Sequence, residues 1–271
     1  MRNKNTVRAT IALLIFASSS CHPDPVEKIG CTIFHATNYD PSATIADNCN
    51  CKFDGLVPAC DIQNPTKMNI PTVIQQTAVW CWLAVGEMIF RYYGLPVVNG
   101  AGDYQCGIVG AVGYAQGGAC NLCNVNCGNC VRPAGSPQMI SYMLSEYPKI
   151  ACRNIFQTKK TLNHSFVNGF LPSNVLLTEL NNKRPVIAGI NPGAQFILPG
   201  NSMHVALIVG FHYVQGSLIL HVNDPFPYAS QGTDPYKINA ALTNGNLYYE
   251  IPYNNFVFGL KWNTSWMNIG W

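Results

Sequence analysis

The chain has 271 residues, of which 48% are hydrophobic and 11% charged, a balance that excludes a disordered protein and leaves ample material for a buried core. Its formal charge is +3, but Arg2, Lys4 and Arg8 all lie in the first twenty residues, and removing those three from 16 basic residues leaves 13 against 13 acidic ones. A chain balanced in this way offers no basic face for nucleic acid.

The first twenty residues read as an address. The basic stretch from Arg2 to Arg8 leads into an apolar run, Ile11 to Ala17, and then to Ser18-Ser19-Ser20-Cys21. Charge, a short apolar run and small residues, in that order, make a secretory signal. The run falls well short of the ~20 residues that span a bilayer. A cysteine directly behind the small residues is also similar to the lipidation site of bacterial lipoproteins, with Ser18 a departure where those sites usually carry Leu. The expectation is an exported chain whose only membrane contact is a lipid anchor at Cys21. Residues 21–67 are rich in Pro, Asn, Asp and Cys, without sustained apolar periodicity. They are expected to form a tether and a small cysteine-stapled extension, with one domain running from 68 to 271.

Twelve cysteines suit an oxidising compartment. Setting aside Cys21 and Cys81 leaves ten: Cys31, Cys49, Cys51, Cys60, Cys106, Cys120, Cys123, Cys127, Cys130 and Cys152. An even remainder predicts disulfides, with the connectivity open. The two C-x2-C pairs between Cys120 and Cys130 have the residue types of a zinc site, but zinc knuckles usually separate their pairs by a longer loop, and export favours oxidation. No metal or cofactor is expected.

In chain order, within the stretch from Thr77 to Tyr93 the residues Trp82, Val85, Ile89 and Tyr93 recur at helical spacing and predict a helix, stopped by Gly94 with Pro96 behind it. Residues 100–137, rich in Gly, Asn and Cys, predict an ordered, cross-linked loop region. Ser136 to Tyr147 predicts a second helix, and Ser173 caps a third through Val175, Leu176 and Leu180. After Pro185 the pattern changes to strands at Val186–Ile190, His204–Phe211 and Ser217–Val222, the last two joined by a turn at Gln215-Gly216-Ser217. Helices first and strands later predict an α+β fold, a helical half packed on an antiparallel sheet half.

A nucleophilic cysteine needs a stabilised thiolate, a base and donors for the developing oxyanion. Cys81 falls in the first turn of the first predicted helix, where unpaired N–H groups and the helix dipole favour a thiolate. Taken alone, a cysteine flanked by Trp80 and Trp82 reads more readily as a buried half-cystine or core thiol than as a nucleophile. Its candidate partners change that weighing. His22 and His35 lie in the poorly patterned N-terminal region, and His164 in a polar segment that reads as loop surface. His204 opens an apolar strand, and the following hairpin returns Asn223-Asp224-Pro225 to its neighbourhood. A carboxylate there would fix the imidazole tautomer and stabilise the imidazolium. Gln75, six residues before Cys81, offers an amide to an oxyanion beside the Cys81 N–H.

The segment Gln75-Gln76-Thr77-Ala78-Val79-Trp80-Cys81-Trp82 resembles the Gln-x5-Cys-Trp signature of papain-like cysteine peptidases, closest to the bacterial branch that includes bacteriocin-leader peptidases and type III effector proteases. Leu83 departs from the Cys-Trp-Ala-Ala usual there. Gln105-Cys106 is similar to a Gln-Cys segment that often follows, and Arg184-Pro185, His204 and Asn223-Asp224-Pro225 match the sheet half in order. The resemblance covers roughly residues 68–262. It implies a papain-like fold and a peptide or protein substrate, with Cys81 as nucleophile, His204 as base, Asp224 as orienter and Gln75 as oxyanion donor. Asn223 is the alternative third member, because papain itself uses Asn. Two other functions fit the same residues: an amidase, deamidase or transamidase with this site, or an exported binding module in which the site is inactive.

Overall fold

The computed structural model describes residues 28–30, 40–46, 66–115, 135–156, 160–193, 203–228, 234–243 and 247–271. The expected signal, Cys21, nearly all of the extension and every cysteine except Cys81, Cys106 and Cys152 lie outside the described residues. Within the extension, β1 (Ile29–Gly30) and β2 (Ile45–Ala46) make a short parallel pair.

The main sheet carries one side of the site. Its strands are β3 (Thr66–Lys67), β4 (Asn163–Val167), β5 (Val186–Ile190), β6 (His204–Val214), β7 (Ser217–Asn223), β8 (Leu242–Thr243), β9 (Tyr248–Pro252) and β10 (Thr264–Gly270). They pair antiparallel in the order β4-β10-β5-β6-β7-β9-β8, with β3 added against β6. Strand β5 is buried along its whole length and β6 from His204 to Phe211, which is why both read as continuous apolar runs rather than as alternation. The β6–β7 turn has φ of 51° at Gln215 and 75° at Gly216. Two left-handed residues in a two-residue loop match the twist of a tight hairpin, and glycine takes such a φ without strain.

The helical half holds α1 (Cys81–Tyr92), α2 (Tyr104–Ala115) and α3 (Pro137–Phe156); α4 (Ser173–Asn181) lies between β4 and β5, and the short α5 (Pro235–Ile238) follows β7. Helix α1 is the centre of the molecule, with every residue from Cys81 to Phe90 buried. A helix apolar nearly all round is an interior helix. Its one buried charge, Glu87, is met by Arg91 at 2.6 Å one turn on.

The expected α+β arrangement is present, with several local differences. Helix α2 replaces the first part of the expected loop. Its glycines, Gly107, Gly110 and Gly113, hid the pattern, while Asp103 caps it by accepting from Cys106 N at 3.0 Å and Ile108, Val109 and Val112 turn inward. Helix α3 runs nine residues past Tyr147, through Pro148. Ser173 is the first residue of α4 rather than its cap; Pro172 holds the cap position, with no side-chain hydrogen bond. His164 lies in edge strand β4, not in a loop. Cys152 is a free thiol, 2% exposed on the buried side of α3, where burial raises its pKa. It has no disulfide partner, so nine cysteines rather than ten remain for pairing, and Cys106 is bridged. Among the described residues no helix is long and apolar enough to cross a membrane.

Candidate active site

Three elements converge on one point. Cys81 is the first residue of α1, and its thiol is free. The helix has no side-chain cap at Trp80. Leu83 N and Ala84 N donate to Trp80 O at 3.0 and 3.1 Å, and the N–H groups of Cys81 and Trp82 lie ahead of them at the end where the helix dipole is positive.

His204 is the first residue of β6, paired with Ile190, and is 3% exposed. Asp224 follows the last residue of β7, and it is wholly buried. The hairpin brings the two together: His204 Nε2 donates to Asp224 Oδ1 at 2.7 Å. That bond places the proton on Nε2 and leaves Nδ1 to face Cys81, whose side chain hydrogen-bonds the ring. Phe226 and Tyr228 stand edge-on to the imidazole, each with its ring centroid 6.2 Å away.

Electrostatics at the ring follow from this packing. Burial by itself would lower the His204 pKa. The Asp224 charge and hydrogen bond, with Cys81 on the other side, outweigh burial and push it up to about 10. The carboxylate is itself well satisfied, since Oδ1 also accepts from Phe226 N at 2.9 Å and Oδ2 from the Tyr236 hydroxyl at 2.8 Å. Asn223 faces elsewhere: its amide donates to Ile70 O at 3.1 Å. Of the two candidates for the third position, Asp224 is therefore the one bonded to His204.

Gln75 lies on the segment leading into α1 and is buried. Its Nε2 donates to Thr77 O at 2.8 Å, within its own turn, and its Oε1 is buried without a hydrogen-bond partner. The structure thus brings Cys81, His204 and Asp224 into contact and sets Gln75 on the approach to them, with its amide engaged locally.

The profile of the Peptidase_C39 like family matches residues 67–254. The chain belongs to that family. It is a cysteine-type peptidase. Among solved structures, similarity is found to one from a study of the mite allergens Blo t 1 and Der p 1, with 12% identity, a TM-score of 0.41, and coverage of 76% of this chain and 68% of the other. It is also found to the digestive procathepsin L2 proteinase from Tenebrio molitor larval midgut, with 14% identity, a TM-score of 0.44, and coverage of 78% and 70%. Likenesses of that size carry nothing about substrate. No curated protein matches the sequence.

In this member of the Peptidase_C39 like family, two tyrosines complete the surroundings of the buried carboxylate. Tyr236 sits at the start of α5, which Asp234 caps by accepting from Tyr236 N at 2.9 Å with Pro235 in the first turn. The Asp-Pro pair was the sequence signal for that cap. Burial first, and then the Asp224 charge, raise the pKa of Tyr236 well above its ordinary value, so it stays a donor. Tyr228 is raised in the same way, and its hydroxyl is buried without a hydrogen-bond partner. No signal in the sequence marked it. Among the described residues no group of His, Cys, Asp and Glu is arranged to hold a metal.

Proposed function

We propose that this chain is an exported cysteine peptidase that hydrolyses peptide bonds in peptide or protein substrates, with Cys81 as nucleophile, His204 as base, Asp224 as orienter, and Gln75 with the Cys81 N–H as oxyanion donors. The observation that carries the reading is the buried His204–Asp224 bond with a free helix-start cysteine on the other side of the ring. A raised His204 pKa favours an imidazolium, and an imidazolium beside Cys81 favours the thiolate.

The thiolate attacks the substrate carbonyl carbon, forming a C–S bond and pushing charge onto the oxygen. As that charge returns, the C–N bond breaks and the His204 proton passes to the leaving amine. Water, deprotonated by His204, then attacks the thioester carbonyl; the C–S bond breaks, the acid leaves and the thiolate–imidazolium pair is restored. Export and a lipid on Cys21 rest on the pattern of residues 1–21 alone. Incorporation of labelled palmitate, lost on Cys21→Ser, would support the anchor.

The test of the site is iodoacetamide labelling of the folded, oxidised protein across a pH series, followed by peptide mapping. The expected result is selective labelling of Cys81 below neutral pH, lost in His204→Ala. Labelling of Cys81 only above pH 8, unchanged in that variant, would make it an inert core thiol and the chain a binding module.

A further inference from the structure

Gln105 is 1% exposed and stands on α2, yet every polar atom of its amide has a partner. Its Oε1 accepts from Gln76 N at 3.1 Å, and its Nε2 donates to Ile74 O at 3.0 Å. One rigid amide thus grips the backbone on both sides of Gln75. The same Nε2 donates to Glu87 Oε2 at 3.1 Å, and Glu87 lies on α1, the helix that begins at Cys81.

The neighbouring contacts reinforce this grip. Gln76 Nε2 donates to Asp103 Oδ2 at 2.6 Å, and the other oxygen of Asp103 caps α2 through Cys106 N. The next residue after Gln105, Cys106, is disulfide-bonded. Gln75 N itself donates to Pro225 O at 3.1 Å. The residue whose side chain would meet the oxyanion is therefore held at three consecutive backbone positions, two of them by Gln105.

We propose that Gln105 is a positioning residue for the Gln75 amide, setting the rate of acyl transfer without touching substrate. The proposal rests on the reading of Gln75 as an oxyanion donor. Oxyanion donors act only when held at the site of developing charge, and a displacement of 1 Å forfeits about two orders of magnitude. A side chain linking the Gln75 loop to the Cys81 helix fixes that distance. It also gives the Gln105-Cys106 pair a joint purpose: one residue grips the loop and the other anchors the helix that carries the grip.

Two reagents separate positioning from general support of the fold. p-Nitrophenyl acetate acylates Cys81 by forming C–S as the C–O bond to p-nitrophenolate breaks, with charge passing through the carbonyl oxygen. Iodoacetamide alkylates the same sulfur by displacing iodide, with no charge developing on a carbonyl oxygen. The ratio of the two rates therefore reads the oxyanion donors and needs no knowledge of the natural substrate. Gln105→Ala, and Gln105→Met as the volume-preserving variant, should each lower the ratio about 10- to 100-fold while alkylation keeps its wild-type rate and pH profile. Gln75→Ala should lower it at least as far, and the double variant no further than Gln75→Ala alone. An unchanged ratio in both Gln105 variants, or a proportional loss of both reactions, would overturn the proposal. So would loss of the fold in both variants, which assigns Gln105 to the core. A ratio untouched by Gln75→Ala would instead remove the donor reading on which the proposal stands.

Discussion

The backbone N–H of Gln75 donates to the carbonyl of Pro225 at 3.1 Å, so the approach to the Cys81 helix is tied by main chain to the residue beside Asp224. Two positions earlier in that segment, Asn223 donates to Ile70 O at 3.1 Å. Residues 70 and 75 are thus both held by the turn that carries the buried carboxylate. The helical and sheet halves of the site are joined by directed bonds as well as by packing.

Asn223→Ala breaks one of these ties and leaves the Ile70 carbonyl unpaired in a buried place. The expected cost is about 1–3 kcal/mol of stability, read as a lower urea midpoint with an unchanged slope. Because Asn223 does not touch His204, the Cys81 alkylation profile should keep its shape. A profile shifted in pH would show that Asn223 acts on the imidazole after all.

Asp224→Asn retains the size of the side chain and removes its charge. Without that charge, burial acts on His204 with less opposition, so its pKa falls from about 10 and the alkaline limb of activity moves to lower pH. Acyl transfer should drop on the order of 10³- to 10⁴-fold, as when a triad carboxylate is lost. The linkage sign agrees. A histidine raised in the folded state contributes stability that is fully present below its ordinary value of 6.5 and is lost as pH rises through about 10. Thermal melts of wild type should therefore fall over that window, and those of Asp224→Asn should fall less.

The sequence made the outline of this molecule legible where one signal dominated. The α1 stripe, the two-residue turn after Val214 and the strand beginning at His204 each follow from local pattern, and the site residues lie at element ends that those patterns place. What stayed hidden depends on partners distant in sequence. Strands β4 and β10 pair across a hundred residues, from Val167 to Ser265, and neither is strongly apolar in alternation. Helix α2 was masked by its three glycines; at Gly107 a Cβ would lie 3.1 Å from Val98 Cγ2, so the missing side chain lets the helix pack closely there. Counting cysteines also failed at Cys152, because parity cannot tell a half-cystine from a thiol buried in a helix interface.

A second histidine cluster predicts behaviour in acid. His212 Nδ1 and His221 Nε2 are 2.8 Å apart, His221 Nδ1 bonds the Tyr248 hydroxyl, and Tyr248 donates to Glu250 Oε1 at 3.1 Å. With Tyr248 donating onward, His221 donates through Nδ1 and accepts through Nε2. A second proton on Nε2 would meet the His212 N–H. Burial first, and then His212, with Lys67 nearby, lower the His221 pKa to about 4 against the opposing pull of Glu250. A depressed histidine contributes stability that is fully present above 6.5 and is lost as pH falls through about 4. Melting temperature should decline over that window, and His221→Gln should flatten the decline. An equal slope in the variant would assign acid sensitivity to the carboxylates instead.

Gly210 sits where β3 crosses β6, opposite Lys67 and beside the register shift that follows Ile208. A Cβ built there would lie 2.1 Å from Thr66 O and 2.8 Å from Lys67 Cα. Both are backbone atoms, so no rotamer change relieves the overlap; β3 itself has to move. Gly210→Ala should therefore cost about 1–3 kcal/mol and loosen the pairing of Met68 N with Val209 O, 2.9 Å in the intact chain. Hydrogen exchange reads this directly. The Met68 amide should lose protection in the variant, while the β5 amides near Ile190, which pairs with His204 at the far end of β6, keep theirs. Because residues 68–75 lead into the Gln75 turn, the same displacement should lower the acylation-to-alkylation ratio at Cys81. Unchanged exchange at Met68 would mean that β3 tolerates the methyl group, and then neither the stability nor the ratio should move.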